Sequence, residues 1–371
     1  HPQCITRHKR QAHTINGSLL GSKDICMKLS ILNLVPVREG QNYQQAMAAM
    51  VALAQYAESI GIERYWIAEH HNMKNLASSA TSLLIQHTLA HTQTLRVGSG
   101  GVMLPNHSPY VVAEQYGTLE TLYPGRVELV LGRAPGTDMR TARALRRGQN
   151  ALDFPAEIAE LRGYFDNSNP VSAYPSAGLH VPFYILGSST ESAYLAAELG
   201  LPYAFASHFA PRMLEMAVNI YRQQFKPSAH LAQPYVMVGV NAIVAASDEE
   251  AARLATTQTR FFLNVVTNAQ QNLQPPLASE EEVWANHAQA QRPPHFSLVD
   301  FQHIALHNQE RTVVEQMTAC SLIGSPASVA QQLDQLRAAV PFDEMIAVSY
   351  IFDEQQQMQS YQLLKEVVDE V

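Results

Sequence analysis

Eight short apolar runs, each followed by a stretch of helical periodicity, constrain the fold of this chain more than anything else in it. Leu29–Val35, Tyr65–Ala68, Leu95–Leu104, Arg126–Leu131, Phe183–Leu186, Tyr203–Ala206, Tyr235–Val244 and Met345–Tyr350 read as strands. They are short and almost continuously hydrophobic, as parallel strands covered on both faces must be. Helical segments lie between them: Tyr43–Ile60 stopped by Gly61, Ser78–His91, Pro109–Leu122 and Pro155–Phe165. Others end at Gly200, span Pro211–Phe225, begin at Asp248, span Ser325–Ala339, and close the chain. Eight β/α units predict an α/β fold, a (β/α)8 TIM barrel with insertions, as one domain over residues 27–371. The alternative is a doubly wound open sheet, which commonly has fewer strands and a glycine-rich first turn. Here that turn is Val35-Pro36-Val37-Arg38-Glu39-Gly40, which cannot cradle a pyrophosphate.

Composition narrows the partners. A net charge of −8 lacks the basic face that nucleic acid requires, though one local arginine cluster can still hold a small phosphorylated ligand. The apolar fraction of 46% is ample for a barrel core, yet no run of about 18 apolar residues offers a membrane span. Three cysteines, Cys4, Cys26 and Cys320, provide neither a disulfide framework nor a thiolate metal site, so a reducing, cytoplasmic setting is expected. Residues 1–26 are polar, basic and without apolar period, and are expected to be a non-native or disordered extension before Met27. Residues 270–310, rich in Gln, Pro, Asn and His, are expected to form a mobile insertion.

In β/α barrels the carboxyl ends of the strands carry the chemistry, because loops converge there on rigid supports. Glu69, His70 and His71 follow strand two; Asn33 follows strand one. Ser99, Gly100 and Gly101, then Asn106-His107-Ser108, follow strand three. Gly132, Arg133, Gly136, Thr137, Asp138 and Arg140 follow strand four; Ser207, His208 and Phe209 follow strand six. Leu186-Gly-Ser-Ser-Thr-Glu-Ser-Ala193, after strand five, opens a helix with hydroxyls at Ser188, Ser189 and Ser192. Serine caps helices for ordinary reasons, but a helix N-terminus also binds phosphate. Arg133 favours the second reading, since a guanidinium directly after an apolar strand is costly unless it meets an anion. Arg140 stays open, and Arg143, Arg146 and Arg147 read as a solvated helix face.

Adjacent strand residues point to opposite faces, so His70 and His71 cannot readily share one ion and no metal is expected. One imidazole facing the cavity as acid, base or donor is the preferred reading, with strand capping as the bland one. Gly98-Ser-Gly-Gly101 is not a dinucleotide fingerprint, because Met103 stands at the third glycine position. Glycines inside a strand instead indicate a bulge or the close approach of a flat ligand.

Three segments together resemble the bacterial luciferase-like superfamily of flavin-dependent monooxygenases, over a span from Met27 to the C-terminus. They are Trp66-Ile-Ala-Glu-His-His71, Leu95-Arg-Val-Gly-Ser-Gly-Gly-Val-Met-Leu-Pro-Asn-His107 and Tyr123-Pro-Gly-Arg-Val-Glu-Leu-Val-Leu-Gly-Arg-Ala134. The resemblance implies reduced FMN as co-substrate, O2, a separate flavin reductase, a small organic substrate and a homodimer. It assigns catalytic work to His70, with Glu69 and His71 beside it, and a non-proline cis peptide to Gly100-Gly101 under the flavin ring. Cofactor contacts would fall on Ser99, Gly100, Gly101, Arg133, Gly187, Ser188, Ser189 and Ser192. The 270–310 stretch would be a lid. Gly132 stands where true luciferase has a cysteine, so light emission is not implied. Pocket-lining positions such as Leu32, Met103 and Phe209 suggest an apolar component in the substrate, but core packing explains them equally well. Three alternatives remain: an F420-dependent hydride-transfer oxidoreductase, a non-catalytic flavin-binding protein, and a metal-dependent hydrolase.

Overall fold

Strands β1 (Lys28–Asn33), β2 (Arg64–Ile67), β3 (Arg96–Ser99), β4 (Val102–Met103), β5 (Val127–Gly132), β6 (Phe183–Gly187), β7 (Tyr203–Phe205), β8 (Val236–Val244), β9 (Ser321–Gly324) and β10 (Glu344–Val348) make one parallel sheet. The computed structural model describes residues 26–134, 136–146, 153–290 and 309–371. The extension expected at 1–26 lies outside them except for Cys26, as does the 291–308 part of the expected insertion. The ring runs β1-β2-β3-β5-β6-β7-β8-β10 and closes through β10 on β1, with β4 beside β5 and β9 beside β8. Closure excludes the open doubly wound sheet.

Helices α1 (Tyr43–Ser59), α2 (Thr81–Ala90), α3 (Pro109–Leu122), α4 (Met139–Arg146), α5 (Phe154–Asp166), α6 (Thr190–Leu199), α7 (Leu214–Gln224), α8 (Asp248–Val266), α9 (Glu280–Ala290), α10 (Pro326–Ala339) and α11 (Glu354–Glu370) are among the helices that accompany the strands. Alternation along each strand divides the core in two, as the pleat requires. Ile31, Ile67, Val97, Leu129, Leu131, Val238 and Val240 pack outward against the helices. Leu32, Trp66, Val130, Tyr184, Ala204, Met237 and Ile346 fill the interior. Phe261, Phe262, Val283 and Trp284 of α8 and α9 join that inner cluster, so the two helices pack on the barrel mouth. Phe261 stacks on Tyr350 with ring centroids 4.3 Å apart.

Three expectations are corrected. Leu95–Leu104 is two strands, because the chain turns at a cis Gly100-Gly101 peptide. Side chains are excluded there: a Cβ on Gly100 would clash with Leu32, and one on Gly101 would lie 2.8 Å from the Val130 carbonyl. Strand β9 went unread because it is four residues long and pairs only with the last part of β8. Within 270–310, α9 is a regular helix that buries only Val283 and Trp284, too few apolar positions to show a period.

Candidate active site at the barrel mouth

Glu69 follows β2 and is 2% exposed. Its Oε1 accepts from Nε2 of His71 and Nε2 of His107, both at 2.7 Å, and from Asn106 Nδ2 at 3.4 Å. Its Oε2 accepts from the Met103 backbone N–H at 2.8 Å. Burial alone would raise the carboxyl's pKa, but these donors outweigh it and hold it down to about 2. Both imidazoles therefore keep a proton on Nε2 toward Glu69, leaving Nδ1 as their free edge. Glu69 itself has no open side for a substrate: it positions the rings. The three groups lie within 4.8 Å of one another, close enough for a metal ligand set. The same three groups also share hydrogen bonds centred on one Glu69 oxygen.

His70 is not part of that hydrogen-bonded cluster. Burial pushes its imidazole down to about 4, with Glu69 opposing and His71 reinforcing, and the ring rests on the Gly136 backbone. It is a neutral base at physiological pH. The loop after β5 secures this corner: Gly136 O accepts the His71 N–H at 3.4 Å, Thr137 Oγ1 donates to His71 O at 3.0 Å, and Asn72 Nδ2 donates to Asp138 at 3.1 Å. Gly136 has φ +62°, and a Cβ there would lie 2.9 Å from the Glu69 carbonyl, so both conformation and contact demand glycine.

Arg133, after β5, reaches across to α6, where Nη1 meets Glu191 Oε2 at 2.6 Å; the two side chains are 59% and 70% exposed. Ser189 is the N-cap of α6, its hydroxyl accepting from Ser192 N at 3.3 Å. Gly187 and Ser188 complete the turn before it, both half-buried. Two predicted contacts are otherwise engaged. Ser192 Oγ bonds the Ser189 carbonyl at 2.7 Å and Tyr203 OH at 2.8 Å, so it faces the barrel wall rather than Arg133. Ser99 is fully buried, donating to Val130 O at 3.0 Å and accepting from Val130 N at 3.2 Å; it ties β3 to β5. Arg146 is not on a free solvated face either, since it donates to Pro105 O at 2.8 Å and pairs with Glu157 at 2.6 Å.

His107, His208 and Asn241 belong to this mouth and were not among the predicted site residues. His208, 7% exposed, is pushed down to about 3 by burial, with His70 adding to the effect. β7 and β2 stand across the ring from one another. The signal available in sequence was only that His107 and His208 follow strand ends.

The geometry defines a closed β/α barrel with titratable groups gathered at its C-terminal mouth. The family profile described as luciferase-like monooxygenase matches residues 27–342, and the chain belongs to that family. The chain is 43% identical over 353 residues to a luciferase-like monooxygenase of Escherichia coli (strain K12), covering 94% of this chain and 99% of the relative. It superposes on the crystal structure of apo-MsnO8 with a TM-score of 0.78 at 32% identity, covering 92% and 98% of the two chains. An N-acetyl-S-alkylcysteine monooxygenase of Bacillus subtilis (strain 168) is 38% identical over 189 residues, covering 48% of this chain and 57% of the relative. No helix among the described residues is long and apolar enough to cross a membrane.

Proposed function

We propose that this protein takes reduced FMN from a separate reductase and uses O2 to oxygenate a small organic substrate at the barrel mouth. The carrying observation is that Arg133 meets the first turn of α6, although the two are distant in sequence. A half-exposed guanidinium beside a helix N-terminus with two neighbouring serines suits a phosphate monoester. In this reading the carboxylate of Glu191, paired with Arg133 at 2.6 Å, would give way to the phosphate. Arg133, Ser188 and Ser189 would hold the phosphate, and the side-chain-free Gly100-Gly101 would face the ring. Reduced flavin bound there would supply the electrons for O2 activation.

The chain's own residues do the rest. His70 is a neutral imidazole that can hold or pass one proton. Glu69 holds the Nε2 edges of His71 and His107 and so orients both rings. Helices α8 and α9 over the mouth restrict water. A homodimer and a cytoplasmic location belong to the same reading, and the name of the Bacillus subtilis relative makes N-acylated thioethers the first substrates to try.

The test is O2 consumption with reduced FMN and with reduced F420, alongside the affinity of each. His70→Ala should keep FMN affinity while losing oxidation by about 100-fold. Turnover with F420 and none with FMN would replace this reading by hydride transfer; FMN binding without turnover would leave a binding protein.

A further inference from the structure

His70 and His71, adjacent in the chain, cannot readily share an ion. The fold assembles a different trio: Glu69 and His71 after β2, and His107 after the 3-10 turn Leu104–Asn106 that follows β4. One ligand atom from each lies within 4.8 Å of the other two. Both Nε2 atoms meet Glu69 Oε1 at 2.7 Å. A tetrahedral zinc ion with donors near 2.1 Å holds neighbouring ligand atoms about 3.4 Å apart, so those two contacts need to open by only about 0.7 Å. The surroundings of the trio are already fixed. Glu69 Oε2 accepts the Met103 N–H at 2.8 Å, which holds the other oxygen toward the rings. Thr137 Oγ1 donates to the His71 carbonyl at 3.0 Å, and the His107 N–H donates to the Leu104 carbonyl at 3.0 Å. The Glu69 and His71 side chains are 2% and 12% exposed, against 33% for His107, so His107 is the edge at which an ion enters.

We propose that Glu69, His71 and His107 bind one divalent first-row transition cation, zinc(II) above all, through Glu69 Oε1 and the two Nε2 atoms. Two imidazoles and one carboxylate are a mixed nitrogen and oxygen donor set, which suits zinc, nickel or copper(II) and not magnesium or calcium, whose ligands are oxygens. Three protein ligands with an open fourth position are the pattern of zinc sites that keep a water. Protons balance: each ring moves its proton from Nε2 to Nδ1, the carboxylate has none to lose, and none is released. The buried carboxylate gains a full positive charge in place of two neutral donors. The site shares no residue with the phosphate and ring contacts proposed above, so it is independent of the cofactor reading.

The experiment uses the full chain, freed of metal by dialysis against a chelator and then given zinc chloride alone. One equivalent of zinc should stay with the protein through gel filtration and raise its thermal midpoint, whereas magnesium chloride should do neither. His107→Ala should weaken zinc binding by at least about 100-fold, since even outer-shell losses reach about 10- to 100-fold. His87→Ala is the control: His87 and His91, at the end of α2, are exposed with ring centroids 4.5 Å apart, another place where two imidazoles can chelate. It should leave zinc binding unchanged. Should His107→Ala lose its cooperative thermal transition, the parent chain decides alone: oxidation with copper(II) and ascorbate, mapped by mass spectrometry, should mark His71 and His107. No retained zinc, zinc lost with His87 instead of His107, or oxidation confined to His87 and His91 overturns the inference and leaves a hydrogen-bonded trio. Failure of the same samples to bind FMN overturns the cofactor reading instead.

Discussion

The barrel has a polar layer at each end, and the two differ in how fully they are paired. At the floor, Arg64 Nε meets Glu344 at 2.8 Å while its Nη1 meets Glu128 at 2.5 Å and Tyr184 OH at 2.7 Å. Trp66 Nε1 donates to Glu128 at 2.8 Å, Tyr235 OH to Glu344 at 2.5 Å, and Ser30 also donates to Glu344. Arg64, Glu128 and Glu344 are all buried, and both carboxylates are fully engaged. At the mouth, Glu69 is saturated in the same way, yet His208 and Asn241 keep orphaned atoms and Arg133 is half-exposed. Similar residue types thus make scaffold at one end and site at the other. What separates them is whether every buried polar atom has found a partner within the protein, because an unfilled one costs stability that only a ligand or water restores.

The largest test of this contrast is at the floor. Arg64→Leu should destabilise the chain by about 3–5 kcal/mol in urea unfolding, because it strands two buried carboxylates. FMN affinity of the folded fraction should be unchanged. A loss under about 1 kcal/mol would mean that the floor is not a closed network.

At the mouth the effects reverse. Arg133→Ala removes an exposed ion pair worth about 0–1 kcal/mol, so the thermal midpoint should hardly move. FMN should bind about 10- to 100-fold more weakly, the loss of one charge-assisted contact to phosphate. Riboflavin, which has no phosphate, should bind parent and variant alike. Equal weakening of both flavins would place Arg133 near the ring and sink the phosphate assignment.

Acid should expose the mouth next. The His70 and His208 imidazoles are held down to about 4 and about 3 from an ordinary 6.5, mainly by burial. From pH 6.5 downward the unfolded chain binds protons that the folded rings refuse, so stability falls with pH until those values are passed. The Glu69 carboxylate, held to about 2, adds stability that is complete above the ordinary 4.5 and is lost as pH falls toward 2. All three act in one direction. The thermal midpoint should drop between pH 7 and pH 4, and His208→Phe should flatten that drop by a few degrees. A slope unaltered by His208→Phe would show that the ring is not buried as described.

How much of this could be read from sequence follows from the range of the interactions. Parallel strands write themselves as apolar runs, so all eight barrel strands and their order were legible. The serine turn was legible as a cap, which Ser189 is, and the glycines of strand three as a close approach, which the contacts of Gly100 with Leu32 and Trp66 demand. Partnerships were not. Glu69 finds His107 thirty-eight positions away, and Arg133 finds Glu191 at fifty-eight. Ser192 carries the same side chain whether it faces a phosphate or Tyr203, and only the helix's rotation chooses. His208 is marked as unusual solely by the missing side chain of Gly239 on another strand.

Glu191→Gln has the smallest expected effect and draws the finest line between the two layers. If the mouth is an incomplete network, Glu191 is a placeholder for an external anion, and removing its charge should free Arg133 rather than damage the fold. Stability should stay within about 0.5 kcal/mol, because both partners are exposed and the pair is screened by water. FMN should bind about two- to fivefold tighter, and the gain should shrink as salt rises, since a like charge has been removed from beside the phosphate. Riboflavin affinity should not change. A weaker FMN complex would make Glu191 a ligand-holding residue, and Arg133 would then be its support rather than a phosphate's.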